Sequence, residues 1–349
     1  MVPLRVAAHR ALHRSGPVSR ANAHLLAGRP SSQTFEERAR RRACDWKQHS
    51  RALPDEARVS APYIRDGNPV GCYPYCLPPA LSACNLLPEV RAEALERFAA
   101  DHIAWHAAID GRPTNHLLSS QIQCINALMP IANDRRLVVA AFGQVLPIGE
   151  PLPIEDGRYL AFEYIGAADH LAEAKPGIAR ERGRFCTSTD AAIRYRRPGG
   201  GIEVALIEWK YTESYHDRPL ATSRSDRLHR YRPLFEAPDG PLRTDVIPYA
   251  DLFVEPFYQL MRHQLLAHAM ERSRELGADT VRVLHVAPAT NAELQLSLTR
   301  DSHQGAGATL YVAWHAMPRR PDRFVTVDSA RLATAAITSE EYVARYAHH

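Results

Sequence analysis

Lysine is scarce in this 349-residue chain. Of its 43 basic residues, only Lys47, Lys175 and Lys210 are lysine, and the others are arginine. A lysine ammonium is compact and can lose its proton beside other positive charge, whereas an arginine guanidinium stays charged. Each lysine that the sequence retains is therefore a candidate for a role that arginine cannot fill.

Long apolar runs and cysteine are also sparse. No run approaches the roughly 20 apolar residues that cross a bilayer, and the N-terminus lacks the apolar block of a secretory signal. The six cysteines are too few to indicate a disulfide framework in a chain of this length. We therefore expect a cytoplasmic protein with free thiols and no membrane association.

The bulk composition is that of a globular protein. A chain with 45% hydrophobic and 23% charged residues can bury a sizeable core, as one large or two modest domains. The net charge of +4 suits an anionic partner but does not require one. Composition therefore leaves the function open.

The chain divides into three stretches. Residues 1–33 hold five arginines and no acidic residue, which predicts a disordered tail; a transit peptide or a mis-assigned start codon would leave the same pattern. Residues 34–112 are predicted to form a helical N-terminal region that begins with a capping box of Thr34 and Glu37. Residues 113–349 are predicted to form the main domain, which ends in a helical extension.

The periodicity of apolar residues predicts an α/β fold. Helices are expected over about 88–108, 115–129 and 256–276, the last of them with Pro256 in its first turn and ended by Gly277. The glycines at 199–201 supply the positive φ of a tight hairpin. Strands are expected over 159–165, 190–195, 203–211 and 281–286, with a short strand near Phe324.

The strand over 203–211 carries the residues with catalytic potential. Its positions 204–207 are all apolar, which indicates a strand covered on both faces. Glu208 and Lys210 then project to one face, about 7 Å apart at Cα, because side chains alternate along a strand. Antiparallel pairing around the hairpin gives opposed residue numbers a constant sum of 398 or 400. Asp190 therefore lies opposite Glu208 or Lys210, on the same face.

Two close carboxylates beside a lysine predict metal-dependent chemistry. The carboxylates of Asp190 and Glu208 raise each other's pKa unless positive charge lies between them, and Mg²⁺ or Mn²⁺ accepts such oxygen ligands. Lys210 can then position a water molecule for attack on a phosphodiester, or help to deprotonate it. The alternative is a buried salt bridge between Glu208 and Lys210, supported by Asp190.

Asp190, followed after 17 residues by Glu208-Trp209-Lys210, resembles the PD-(D/E)xK nuclease superfamily. The resemblance implies a restriction-endonuclease-like core of a helix, three antiparallel strands, a helix and a strand, in a mixed sheet flanked by helices. It also implies that Asp190, Glu208 and the Trp209 carbonyl bind the metal and that Lys210 serves the water. Thr189 stands where the superfamily motif has proline, a position that varies within it.

Further segments are similar to an uncharacterised bacterial branch of that superfamily, and together the resemblance covers about residues 70–300. The resemblance implies that residues 113–349 form the nuclease-like domain, with a helical extension at its C-terminal end. These segments are Ser119-Ser120-Gln121, Phe162 to Gly166, Thr187 to Asp190, Ile207 to Glu213, and Tyr258 to Arg262.

Supporting positions are less specific. Glu163 is the sole charge in an aromatic strand and is a candidate additional ligand, or else an edge-facing glutamate. Gln259 and Arg262, three apart on a helix, resemble a pair that supports the phosphate, although a solvated face would show the same spacing. Glu213 could back up Lys210, but a structural role is the simpler interpretation.

Two other patterns suggest metal sites only weakly. Cys72, Cys76 and Cys84 raise the possibility of zinc or an iron–sulfur cluster, but they lack a fourth ligand and lie in a sequence typical of a packed loop. His102 and His106 are four apart on a predicted helix without the acidic neighbour of a metalloprotease motif. We interpret these histidines as surface or core residues.

The sequence therefore predicts an Mg²⁺-dependent nuclease, most specifically a DNA endonuclease. One alternative is a catalytically silent nuclease-fold protein that binds nucleic acid or a protein partner, and the intact Asp190, Glu208 and Lys210 argue against it. Another is a glycosidase with paired carboxylates, whose chemistry has no use for a lysine at this spacing.

Overall fold

The structure, a computed structural model, describes residues 33–215, 224–334 and 336–347. The predicted N-terminal tail lies outside these residues, apart from Gln33. Among the described helices, none combines the length and the apolar character needed to span a membrane.

The described chain alternates helices and strands after a mainly helical start. In chain order its elements are α1 (Phe35–His49), β1 (Ala61–Arg65), β2 (Asn68–Tyr73), α2 (Pro88–Ala100), α3 (Ser120–Ala132), α4 (Arg135–Phe142), β3 (Glu150–Leu152), β4 (Leu160–Tyr164), β5 (Thr189–Arg196), β6 (Ile202–Trp209), α5 (Arg224–Phe235), α6 (Phe257–Ser273), β7 (Thr280–Ala287), α7 (Ala292–Gln295), α8 (Asp301–Ala306), α9 (Leu310–His315), β8 (Phe324–Asp328) and α10 (Glu340–Tyr346).

Six of the strands form one mixed sheet. Along it the order is β3, β5, β6, β7, β8, and β4 also pairs with β5. The β4–β5 and β5–β6 pairs are antiparallel, whereas β7 is parallel to both β6 and β8. The succession of α3, three antiparallel strands, α6 and a parallel strand confirms the predicted restriction-endonuclease-like core.

Helices cover both faces of this sheet. On one face, Ala205, Ile207 and Trp209 of β6 pack into a cluster with α1 to α4 and α10. On the other face, Val204 and Leu206 pack into a second cluster with α5, α6 and α9. The strand is covered on both faces, as its run of apolar residues predicts. Alternation places Glu208 on the face of α6.

Several predicted boundaries are wrong. Helix α2 ends at Ala100, because His102 adopts a left-handed φ of 51°, and Ile103 is buried in the loop that follows. Helix α3 begins at Ser120, where the Ser119 side chain accepts a hydrogen bond from the Ile122 N–H. Helix α6 ends at Ser273, before Gly277, because Arg274 already adopts the left-handed conformation.

The predicted helical region of residues 34–112 also contains an antiparallel hairpin, β1–β2, that the sequence analysis did not predict. Proline occurs in both strands, at Pro62 and Pro69, and Gly71 interrupts the second. Proline and glycine are depleted in strands, so the segment has the composition of a loop. The short strand β3 is a second addition to the predicted elements.

Candidate active site

The pairing of four strands aligns a row of polar residues across the sheet. Ala191 of β5 lies opposite Ile207 of β6, a sum of 398, so the next pair outward is Asp190 and Glu208. On its other side Glu208 lies beside His285 of β7. The pairs on either side of Glu163 in β4 place it opposite Asp190 in the same way.

The three predicted catalytic residues meet in this row. The Lys210 ammonium donates to Oε1 of Glu208 as a buried ion pair. The Asp190 carboxylate accepts a hydrogen bond of 2.6 Å from the Trp209 N–H. Glu208 is only 2% exposed and Lys210 6%, whereas Asp190 is partly accessible. Solvent or a ligand therefore reaches the group from the side of Asp190.

The charges of these groups are tightly linked. Burial raises the pKa of Asp190, and the charge of Glu208 raises it further. Burial also raises the pKa of Glu208, although Lys210 opposes this. Burial alone would lower the pKa of Lys210, but Glu208 and, to smaller extents, Tyr215, Glu213 and Asp190 together outweigh it and hold that pKa well above its usual value. The proton of the pair therefore belongs to Lys210, which is an ammonium.

Glu163 lies at the edge of the same group. Its carboxylate accepts hydrogen bonds of 2.7 Å from Gln121 and from Ser188. Burial and the nearby Asp190 raise the pKa of Glu163 to about 7 in spite of these bonds. Its backbone has a φ of 47°, a conformation that costs energy for a residue with a side chain and often marks a functional position.

Carboxyl groups outnumber cations in this row, because Lys210 pairs with Glu208 alone. An oxygen-binding divalent cation would relieve the mutual repulsion of Asp190, Glu208 and Glu163. Within residues 33–215, 224–334 and 336–347, no three His, Cys, Asp or Glu side chains are arranged as a metal site. The donor set that the resemblance implies, Asp190, Glu208 and the Trp209 carbonyl, consists of hard oxygen atoms, which fit Mg²⁺ or Mn²⁺.

Helix α6 contributes a residue that the sequence analysis missed. Nε2 of His263 lies 3.5 Å from Oε2 of Glu208 and 3.1 Å from the Ser188 carbonyl oxygen. His263 is fully buried, and burial together with Arg262 lowers its pKa well below the usual value, so the ring is neutral. The available signal was helical spacing, since His263 follows Gln259 by one turn.

The two predicted residues of α6 are placed differently. Nη1 of Arg262 donates to Oγ1 of Thr187 at 3.2 Å, and its guanidinium lies 4.5 Å from the ring centre of Tyr258. The Arg262 side chain therefore contacts Thr187, which lies three residues before Asp190, and does not contact Glu208. Gln259 is half-buried, and its side chain forms no hydrogen bond to another described residue.

Glu213 borders the site beyond the end of β6. Its carboxylate accepts a hydrogen bond of 2.6 Å from the Tyr211 N–H, and its charge is among those that raise the pKa of Lys210. It also lines a cavity of about 170 Å³ together with Tyr63, His106 and His116. Glu213 therefore links the surroundings of Lys210 to this polar cavity.

The two weaker metal patterns do not form a site in the described part of the chain. Cys72 is exposed, Cys76 is fully buried with a pKa that burial raises to about 12, and Cys84 is half-buried. The placement of His102 and His106 on one helix is wrong, because α2 ends before both.

A family model described as Restriction Endonuclease associating with ARP matches residues 39–349. The chain belongs to this restriction-endonuclease family. No curated protein and no solved structure matches it. Membership agrees with the resemblance carried by Asp190 and Glu208-Trp209-Lys210.

Proposed function

We propose that this family member is a metal-dependent DNA endonuclease with Asp190, Glu208 and Lys210 as its catalytic centre. The observation that carries the proposal is the row in which Glu163, Asp190 and Glu208 face one ammonium. A site whose sole task was structural would not bury carboxylates in excess of their cation. The family description supports a nuclease, and the net charge of +4 suits a polyanionic substrate.

Each residue of the proposed catalytic centre has a separate role. Asp190, Glu208 and the Trp209 carbonyl would hold Mg²⁺ or Mn²⁺, which supplies Lewis-acid chemistry at a phosphodiester when bound. Lys210, held charged by Glu208, would orient the attacking water and stabilise negative charge on the phosphate. Its high pKa favours this positioning role over removal of a proton from the water.

A second candidate is a silent nuclease-fold protein that binds nucleic acid or a protein. The observation in its favour is the direct contact between Lys210 and Glu208, which is also the arrangement of a structural salt bridge. The family description names an association with ARP, so a protein partner is part of this proposal.

Cleavage by the purified chain separates the two candidates. Plasmid, single-stranded DNA and RNA are incubated with wild-type protein in Mg²⁺ or EDTA. We expect cleavage of DNA in Mg²⁺ alone. Wild-type protein that binds DNA in Mg²⁺ without cutting any nucleic acid would favour the silent binding protein.

The variant Lys210→Met tests the role of the ammonium. It retains much of the stem and both carboxylates, so metal and DNA binding should survive while cleavage falls at least about 10²-fold. Lys210→Arg should not restore the rate, since a guanidinium is bulkier. Lys47→Met is the matched control: Lys47 is also buried but donates to the carbonyl oxygens of Pro74 and Cys76, outside the site. It should lower stability without lowering the rate per folded molecule.

A further inference from the structure

A second cavity, of about 500 Å³, lies at the opposite end of the sheet from the candidate active site. Its walls are the C-terminal half of α6, the start of β7 and the segment before β8. Val281 lines the cavity, whereas His285, four residues later in β7, lies beside Glu208. Four strand residues span about 13 Å, so the two sites are separate.

Two polar side chains that line this cavity each bury an atom that has no hydrogen-bond partner among the residues that the structure describes. Gln264 is only 2% exposed, and its Oε1 accepts no hydrogen bond. Nε2 of His268, one helical turn later, is also buried without a partner. A buried polar atom without a hydrogen-bond partner is unfavourable, so such atoms in a cavity point to a polar ligand.

The charges at the rim leave a surplus of arginine. Glu271 is held by Arg323, with Nε at 3.0 Å and Nη2 at 3.2 Å, and by Arg320 at 3.2 Å. Arg272 contacts Asp239 at 2.7 Å in the same way.

A fourth arginine at the rim, Arg319, forms no ion pair with a carboxylate of the described chain. Its Nε donates to the Leu242 carbonyl oxygen at 3.1 Å. Arg243 is the main cause of the lowered pKa of Asp245, and the charge of Arg319 adds to it only from a greater distance. Asp279, the remaining acid of the lining, is paired with Arg274. The cavity therefore offers a guanidinium to an anionic ligand at its rim and hydrogen-bonding atoms inside.

We propose that this cavity binds a phosphorylated nucleoside. Arg319, with Arg320 and Arg272 beside it, would take the phosphate, and Gln264 and His268 would pair with the edge of the base. The volume is within the range of small-molecule sites. An extended DNA backbone would meet the exposed arginines but could not reach the buried Oε1 of Gln264. The inference concerns a site distinct from the catalytic centre and does not depend on cleavage.

Calorimetric titration of the full chain tests the proposal. ATP, GTP, CTP and UTP are added separately in EDTA, and inorganic pyrophosphate is added as a probe of the phosphate alone. We expect one nucleotide to bind with 1:1 stoichiometry and more tightly than pyrophosphate, because the base adds its contacts with Gln264. If none of the four reaches saturation at millimolar concentration, the cavity holds only water and the proposal is overturned.

Variants locate the binding. Gln264→Met keeps the volume but removes the unpartnered acceptor, so nucleotide affinity should fall about tenfold or more while the melting temperature stays equal or rises. Arg319→Ala should weaken both the nucleotide and pyrophosphate. Arg136→Ala, an exposed arginine of α4, is the control and should change neither.

Two results would contradict this assignment. Nucleotide affinity that is unchanged in Gln264→Met and Arg319→Ala would place the ligand elsewhere. Loss of duplex DNA binding in Arg319→Ala, without any nucleotide binding by wild-type protein, would show that the arginines serve a nucleic-acid backbone.

Discussion

Strand β6 carries a buried glutamate near each end, and the two ends balance charge differently. Glu203 is fully buried and accepts two bonds from the Arg282 guanidinium and one from the Tyr195 hydroxyl. At the other end, Glu208 has its own cation, but Asp190 lies beside it without one. At the first end, one carboxylate is matched by one guanidinium. At the second end, the two carboxyl groups of Asp190 and Glu208 share one ammonium, that of Lys210. Charge balance therefore separates a structural pair from a site suited to a cation.

Neutralising Asp190 should have the largest effect on DNA cleavage. We expect Asp190→Asn to abolish cleavage while the free energy of unfolding in EDTA stays equal or rises, because the repulsion with Glu208 is gone. The asparagine oxygen can still accept the Trp209 N–H. Urea unfolding and DNA cleavage measure the two properties, and Asp245→Asn, a surface acid paired with Arg243, is the control. A clear loss of stability would make Asp190 part of a structural ion pair.

Removing the glutamate at the other end should have the opposite pattern. Glu203→Leu leaves the Arg282 guanidinium unpaired and should lower the free energy of unfolding by about 3 kcal/mol. The cleavage rate per folded molecule should stay unchanged, because Glu203 lies at the far end of the strand. The double variant with Arg282→Met should recover part of the stability, as urea unfolding would show. No recovery would mean that the pair is not what stabilises this end.

A divalent cation should bind only at the end of β6 that carries Glu208, and it should stabilise the folded protein from there. At Mg²⁺ concentrations 100 times its dissociation constant, the wild-type free energy of unfolding should rise by about 2.7 kcal/mol. Thermal melts with and without Mg²⁺ should show this increase in Glu203→Leu but not in Asp190→Asn. Equal increases in both variants would place the cation outside the row.

The sequence predicted the features that depend on local pairing. The apolar run before Glu208 and the glycines at 199–201 are enough to define the hairpin. The hairpin limits the partner of Asp190 to Glu208 or Lys210, and the observed register selects Glu208. Glu163 followed from the adjacency of its strand. Where neighbouring residues determine the geometry, the pattern therefore led to the right contacts.

Features that depend on packing could not be predicted in the same way. Which residue of α6 faces Glu208 depends on how the helix is rotated over the sheet, so Arg262 was chosen and the adjacent His263 was missed. The apolar residues Ile103 and Trp105 continue the helical spacing beyond Ala100 by coincidence. They are buried, but they lie in the loop that follows the helix. The β1–β2 hairpin has proline in both strands, so its strand propensity is low and the sequence pattern does not predict it.

The smallest predicted effect concerns His263, whose neutral ring touches Glu208 without adding a charge to either end of β6. Because Nε2 also lies 3.1 Å from the Ser188 carbonyl oxygen, we expect the ring to position Glu208. His263→Ala should reduce cleavage and weaken Mg²⁺ binding by about tenfold, as is usual for residues that orient metal ligands.

A conservative variant separates positioning from packing at His263. His263→Gln supplies a side-chain N–H that can replace the donor to Ser188, so it should recover most of the cleavage rate and the Mg²⁺ affinity. Kinetics over a range of Mg²⁺ concentrations, together with urea unfolding, distinguish the two roles. If His263→Ala and His263→Gln lost activity only in proportion to their loss of stability, His263 would be a core residue. The imbalance of charge at this end would then be managed by Lys210 and a bound cation alone.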